Sequence, residues 1–274
     1  MPNLNKNLEK DLKKVESLMR KNLSKEPVVS DLYDYIFNKS GKKVRASISL
    51  ISSYGMNKNQ QNRVKLAAII ELLHTGTLVH DDIVDNSDLR RGRTTVNVAW
   101  SNSHGVLIGD FIYSKAFMLM NEIGNLKVVD ELSSATNKIA EGELMQLENK
   151  NNLDTSLQQL KRISYYKTGR LFEASAKSAA MLSNKSISFI ENISKAAKLI
   201  GIAFQVRDDL LDYGISKGNI GKPEMQDILE DKITYPLYFA LKSSSKKDTS
   251  RILKKIKNKD FNAEEVSDFV SSSD

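Results

Sequence analysis

Residues 64–86, VKLAAIIELLHTGTLVHDDIVDN, decide how the chain is read. Residues 64–79 are mostly apolar and helix-like, and they run without a break into Asp81, Asp82 and Asp85. Successive residues on an α-helix are about 100° apart and i,i+4 pairs stack, so Asp81 and Asp85 share a face with Asp82 beside them. Carboxylates that close repel one another, and their charged forms resist leaving water. A positive partner is expected among them.

The pattern recurs at residues 207–213, RDDLLDY, again after an apolar helical run. Asp208 and Asp212 stack there, with Asp209 beside them. Asp makes up 19 of 274 residues, too few for composition alone to produce the five-residue pattern twice. The chain has no Cys and only three His. Clustered carboxylates then select a hard cation with oxygen ligands, and Mg²⁺ fits best because it commonly bridges carboxylates to a substrate's phosphates. If the motifs face each other, six carboxylates carry about −6 and a bound diphosphate adds about −3. Three divalent ions and about three basic side chains would balance that charge.

Basic side chains are present. GKKVR (41–45) offers Lys42, Lys43 and Arg45, LRRGR (89–93) offers Arg90, Arg91 and Arg93, and Lys167 and Lys222 stand alone. Each by itself reads as a surface charge. Beside the Asp motifs they read as phosphate ligands, Arg above all because its fork binds two oxygens at once.

The rest of the chain is also helical in pattern. The four prolines are Pro2, Pro27, Pro223 and Pro236, leaving a long Pro-free stretch in which helix interiors are unbroken. Leu8, Leu12, Val15 and Met19 recur at helical spacing, as do Ile193, Ala196, Ala197, Ile200 and Phe204. Strand-like alternation is hard to find, and no linker separates two domains. The expectation is an all-α bundle of long helices, a single domain over residues 1–274.

At 40% hydrophobic and 27% charged residues the composition is that of an ordinary globular protein. No run of eighteen apolar residues predicts a transmembrane helix. The opening MPNLNKNLEKDLKKVESLM lacks the apolar centre of a secretion signal. With no Cys, a cytoplasmic location is expected. The net charge of +7 points to nucleic acid, anionic lipid or a phosphorylated substrate. Much of the excess lies in KKDTSRILKKIKNK (246–259), read as a solvated helix face. No nucleic-acid motif accompanies it, so nucleic acid is not expected as a partner.

Taken in order, GKKVR, ELLHTGTLVHDDIVD, LRRG, GDFIYSKAF, AEGELMQL, YYKTGRLFEASA, FQVRDDLLDY and GK followed by DKITYP resemble the trans-isoprenyl (polyprenyl) diphosphate synthases. The likeness runs from about Gly41 to Leu241 and is greatest to the long-chain, octaprenyl-type members. It implies a helical bundle around a deep cavity, a homodimer, and Mg²⁺-dependent elongation of an allylic diphosphate, such as farnesyl diphosphate, by isopentenyl diphosphate. A quinone side chain is the implied destination, with transient contact with a membrane surface for product release.

Position by position, the resemblance implies that Asp81, Asp82, Asp85, Asp208, Asp209 and Asp212 hold about three Mg²⁺ on the allylic diphosphate. Arg90, Lys167 and Lys222 would contact that diphosphate. Lys42, Arg45, His74 and Arg91 would bind isopentenyl diphosphate. Thr168 and Gln205 would line the site where an allylic cation forms, and Lys232 matches a second Lys after the later Asp motif. His74 lies one heptad before Asp81, where a lone His is ordinarily structural. Phe111, Phe117 and Phe204 read as core. Gly76 and Thr77, about one helical turn before Asp81, are small, which predicts an open floor and a long product. Gly76 could equally serve close helix packing.

The chain departs from the family pattern in places. Ala46 stands where Pro is usual after the first basic motif, Met225 and Gln226 precede Asp227, and Asp231 replaces a Gly before Lys232. The chain is also expected to be short at its C-terminus by one or two helices. Two other functions were weighed. A class I terpene cyclase ionises the same substrate but needs no second diphosphate site. A non-catalytic helical subunit would tolerate degenerate Asp motifs, and both are intact.

Overall fold

The computed structural model describes residues 2–21, 24–38, 41–54, 60–150, 152, 154–214 and 225–272. In chain order its helices are α1 (Pro2–Arg20), α2 (Pro27–Phe37), α3 (Val44–Ser52), α4 (Gln60–Val84), α5 (Val96–Ala99), α6 (Asn102–Ile123), α7 (Leu126–Glu148) and α8 (Leu157–Ser164). A π-helical turn, Tyr165–Gly169, leads into α9 (Arg170–Leu182), followed by α10 (Ile187–Asp212), α11 (Gln226–Leu229), α12 (Tyr235–Ser243), α13 (Lys246–Lys257) and α14 (Ala263–Ser271). Among the described residues the one sheet is a hairpin of Leu89–Arg90 with Arg93–Thr94. The fold is all-α, as the Pro-free, helix-periodic pattern predicts. Among the described residues no helix is long and apolar enough to cross a membrane.

The chain divides into two compact units, and α7 and α10 supply residues to both. The first comprises Met1–Asp88, Thr94–Asn137 and Arg170–Leu199. Helix α4 packs against α1, α3, α6 and α9. Its Leu66, Ile69, Ile70, Leu72 and Leu73 are fully buried, with Tyr33, Ile112, Met120, Leu132 and Phe172 from α2, α6, α7 and α9. A helix apolar on nearly every side belongs inside a core, which accounts for residues 64–73. Ser101 caps α6 by accepting the amide of His104, and Gly124 ends it at φ +65, a conformation glycine takes without penalty.

The second unit comprises Leu89–Arg93, Lys138–Gly169 and Ile200–Asp274. Its apolar centre is built from Tyr213, Ile228, Leu237, Ile252 and Val266. Ser156 and Gln159 form a reciprocal capping box that starts α8. Helix α13 buries Ile252 and Ile256 and leaves most of its lysines exposed, the solvated face expected of that basic run.

Candidate active site

In the first unit the Asp motif occupies the last turn of α4. Asp82 is buried, and Asp81 and Asp85 are half-buried. The Asp82 carbonyl accepts the Ser87 amide at 2.8 Å and turns the chain away from the helix. The hairpin that follows is turned by Arg91 and Gly92, at φ +53 and +70. Two successive positive φ values suit the right-handed strand twist of a tight hairpin. Arg90 is thereby half-buried and Arg91 stands exposed at the tip.

One face of α4 also carries His74. Arg45, on the first turn of α3, is only 9% exposed and sets Nη1 3.0 Å from His74 Nε2. Arginine has no acceptor, so in this contact Nε2 accepts from the guanidinium. The guanidinium carbon lies over the Phe172 ring of α9, 4.5 Å from its centroid, a cation–π contact. Ala46, in place of the usual Pro, retains an N–H and donates it to Glu71 Oε1 at 3.0 Å. The structure thus brings Arg45 and His74 together, whereas Lys42 stands exposed beside them in sequence.

In the second unit the π turn presents consecutive residues to different partners. A π turn inserts an extra residue and redirects side chains that a regular helix would stack. Thr168 Oγ1 donates to Gln205 Oε1 at 2.6 Å, and Gln205 Nε2 donates to Asp209 Oδ1 at 2.8 Å. Lys167 Nζ meets Glu143 Oε2 at 2.6 Å and also donates to Gln146. Lys232 is buried and paired with Glu230. Lys222 lies outside the described residues.

The later Asp motif divides its work. Burial, then the charges of Asp227 and Asp208, push Asp209 up to about 8 against the Gln205 and Tyr235 donors. Asp212 is pushed up to about 7 by burial and Asp227. Its two carboxylate oxygens accept the amides of Gln226 and Asp227, each at 3.1 Å. Asp212 therefore anchors the start of α11. Asp231, in place of the usual Gly, takes φ +61, a backbone position that glycine adopts most readily.

Among the described residues no group of three or more His, Asp or Glu side chains is gathered closely enough to cage a metal ion. The donor set still suits Mg²⁺, which keeps several waters and needs one or two carboxylates plus phosphate oxygens rather than an all-protein cage. A carboxylate such as Asp209, whose charge burial and neighbouring carboxylates oppose, is a group that a divalent cation relieves. Glu143, Gln146, Glu71 and Phe172 escaped the reading of the sequence as site residues. All four lie inside the quoted segments, Glu71 at the start of ELLHTGTLVHDDIVD, Glu143 and Gln146 in AEGELMQL and Phe172 in YYKTGRLFEASA, but no spacing singles them out there.

The chain is similar to known prenyl diphosphate synthases. The chain is 41% identical over 214 residues to octaprenyl diphosphate synthase of Escherichia coli K12, covering 78% of this chain and 66% of that protein, just under two thirds of its length. It is 40% identical over 222 residues to an all-trans-nonaprenyl-diphosphate synthase (geranyl-diphosphate specific) of Rhodobacter capsulatus, covering 81% and 68% of the two chains. Its fold matches a polyprenyl synthase of Caulobacter crescentus CB15, complexed with calcium and isoprenyl diphosphate, with a TM-score of 0.92 at 30% identity over 98% of this chain and 84% of that one. A family model described as polyprenyl synthetase matches residues 26–272. This chain belongs to the polyprenyl synthetase family.

Proposed function

We propose that the chain is a long-chain trans-prenyl diphosphate synthase. It adds isopentenyl diphosphate repeatedly to an allylic diphosphate such as farnesyl diphosphate, making the side chain of a quinone. In each cycle the allylic C–O bond breaks and its electron pair leaves on diphosphate. The double bond of isopentenyl diphosphate attacks the allylic carbon, and a proton is lost. The observation that carries the reading is the hydrogen-bonded run Thr168–Gln205–Asp209, which ties the π turn to the second Asp motif.

Asp81, Asp82, Asp85, Asp208 and Asp209 would hold about three Mg²⁺, which when bound offset charge developing on the leaving diphosphate. Arg90, Lys167 and Lys222 would add cations at the same group. Thr168 and Gln205 place oxygen dipoles where positive charge forms on carbon. Arg45, placed over the Phe172 ring and hydrogen-bonded to His74, presents its guanidinium to isopentenyl diphosphate together with Lys42 and Arg91. The family match, residues 26–272, takes in residues of both units.

Two copies are proposed to pair. Helix α6 supports this by exposing Val106, Leu107, Phe117 and Met118, the spacing of i and i+11 that repeats one helix face. Light scattering of the purified chain tests the pairing. The activity is tested by supplying farnesyl diphosphate and Mg²⁺ with and without isopentenyl diphosphate. Long polyprenyl products that require both substrates are expected, whereas a hydrocarbon made without isopentenyl diphosphate would establish a cyclase.

A further inference from the structure

We infer that Gly142, Glu143 and Gln146 of α7 are positioning residues that seat the π turn and aim Lys167 at the substrate diphosphate. The inference rests on the proposed reading of Lys167 as a diphosphate ligand.

Three independent contacts converge on the turn. The first is steric. A Cβ built at Gly142 would stand 2.7 Å from Tyr166 Cβ, 3.0 Å from the Lys167 amide nitrogen and 3.2 Å from Lys167 Cγ. The nearest atoms belong to the root of a side chain and to the backbone, which cannot swing aside as a flexible tip does. Only glycine lets α7 lie this close to the turn, and any side chain there moves Lys167 itself.

The second contact is polar. Glu143 and Gln146 are i,i+3 neighbours on α7, and both take the Lys167 ammonium, Glu143 at 2.6 Å. An ammonium has three N–H groups in fixed tetrahedral directions. Two held by α7 determine where the third points. A lysine tethered in this way spends little rotamer entropy when a phosphate oxygen arrives.

The third contact pins the residue next door. The Tyr166 ring has Lys138 Nζ 5.0 Å and Arg162 Cζ 5.4 Å from its centroid. Glu141 pairs with both cations, at 2.5 Å and 3.4 Å. The turn is therefore clamped at Tyr166, steered at Lys167 and tied to Gln205 at Thr168. Clamps on both sides hold the π turn at this one place.

Two measurements test the inference on the full chain. Calorimetry with inorganic pyrophosphate and Mg²⁺ compares Lys167→Ala, Glu143→Ala and the double variant. If Glu143 acts through Lys167, each single variant weakens binding by about tenfold and the double variant is no weaker than Lys167→Ala alone. Additive losses would overturn the inference. Steady-state kinetics supplies the second readout. Glu143→Ala should raise KM for the allylic diphosphate and lower kcat, with KM for isopentenyl diphosphate within about twofold, and Glu143→Gln, which keeps an acceptor, should recover most of the loss. Equal damage to both substrates, or unaltered kinetics, would show that Glu143 does not position Lys167. Condensation by the wild-type chain judges the proposed function separately, because the pyrophosphate cycle reads the coupling whether or not elongation occurs.

Discussion

Tyr113 on α6 lays its ring on Gly76 of α4, so that a Cβ at position 76 would stand 3.0 Å from Tyr113 Cε2 and 3.1 Å from Cδ2. The contact is one of a series. Gly109 receives the His80 ring, and Gly105 receives Ile83 at 2.6 Å from its would-be Cβ. The Tyr113 ring also lies 5.7 Å from that of His80 and 6.4 Å from that of Phe117. Gly76 and His80, one turn apart, thus face α6, whereas Thr77 and Asp81 share the neighbouring stripe.

The space that a missing side chain at Gly76 leaves is taken by Tyr113. Gly76→Ala sets about 1 kcal/mol of helix propensity against an overpacking cost of about 1–3 kcal/mol at the Tyr113 ring, so the melting temperature should fall slightly, and with Tyr113→Ala in the same chain the substitution should become stabilising. Tyr113→Ala alone should lengthen the products. Gly76→Tyr should shorten them only when Tyr113→Ala makes room. Thermal melts and chromatography of dephosphorylated products check both outcomes.

Asp212 is expected to matter for stability more than for metal. Removing both acceptors from the start of α11 with Asp212→Ala should cost about 1–2 kcal/mol, as lost helix caps do. Asp212→Asn keeps one acceptor and should cost less. Chemical denaturation measures the difference. The Mg²⁺ concentration for half-maximal activity should stay within about twofold in Asp212→Asn and rise in Asp208→Ala.

Chelation of divalent ions should abolish turnover, with Mg²⁺ restoring it. Asp81→Ala and Asp208→Ala should each slow the reaction by about 10²-fold or more, because each removes support for charge on the leaving group. Near-normal turnover in either variant would remove that residue from the site.

Arg45→Ala should raise KM for isopentenyl diphosphate by about tenfold and leave the allylic substrate little changed, since one charge-assisted contact is lost. Arg45→Lys should recover little of it. An ammonium is a compact point charge that does not fork onto two phosphate oxygens as the guanidinium over Phe172 does. Titrating each substrate against a fixed excess of the other separates the two effects.

The helices and the two Asp motifs were legible in the sequence because both depend on local periodicity. A run such as residues 64–73 is helical and buried whichever elements surround it, and an i,i+4 pair of carboxylates stacks on any helix. The expectation of oxygen donors rests on composition instead, since a chain without Cys offers mainly oxygen ligands. Which side of α4 meets α6 was not legible. It depends on Tyr113, His80 and Ile83 finding glycine notches across a helix pair, and no spacing within one segment records that. The same holds for Asp212, read as a metal ligand by its place in the motif, whose oxygens are claimed by the amides of Gln226 and Asp227. It holds again for Lys167, whose direction is decided by Glu143 and Gln146 one helix earlier. Sequence by itself determined which residue types stand on which helix face; only tertiary packing decided which partners those faces meet, because partners far apart in the chain are chosen by shape and charge across the fold.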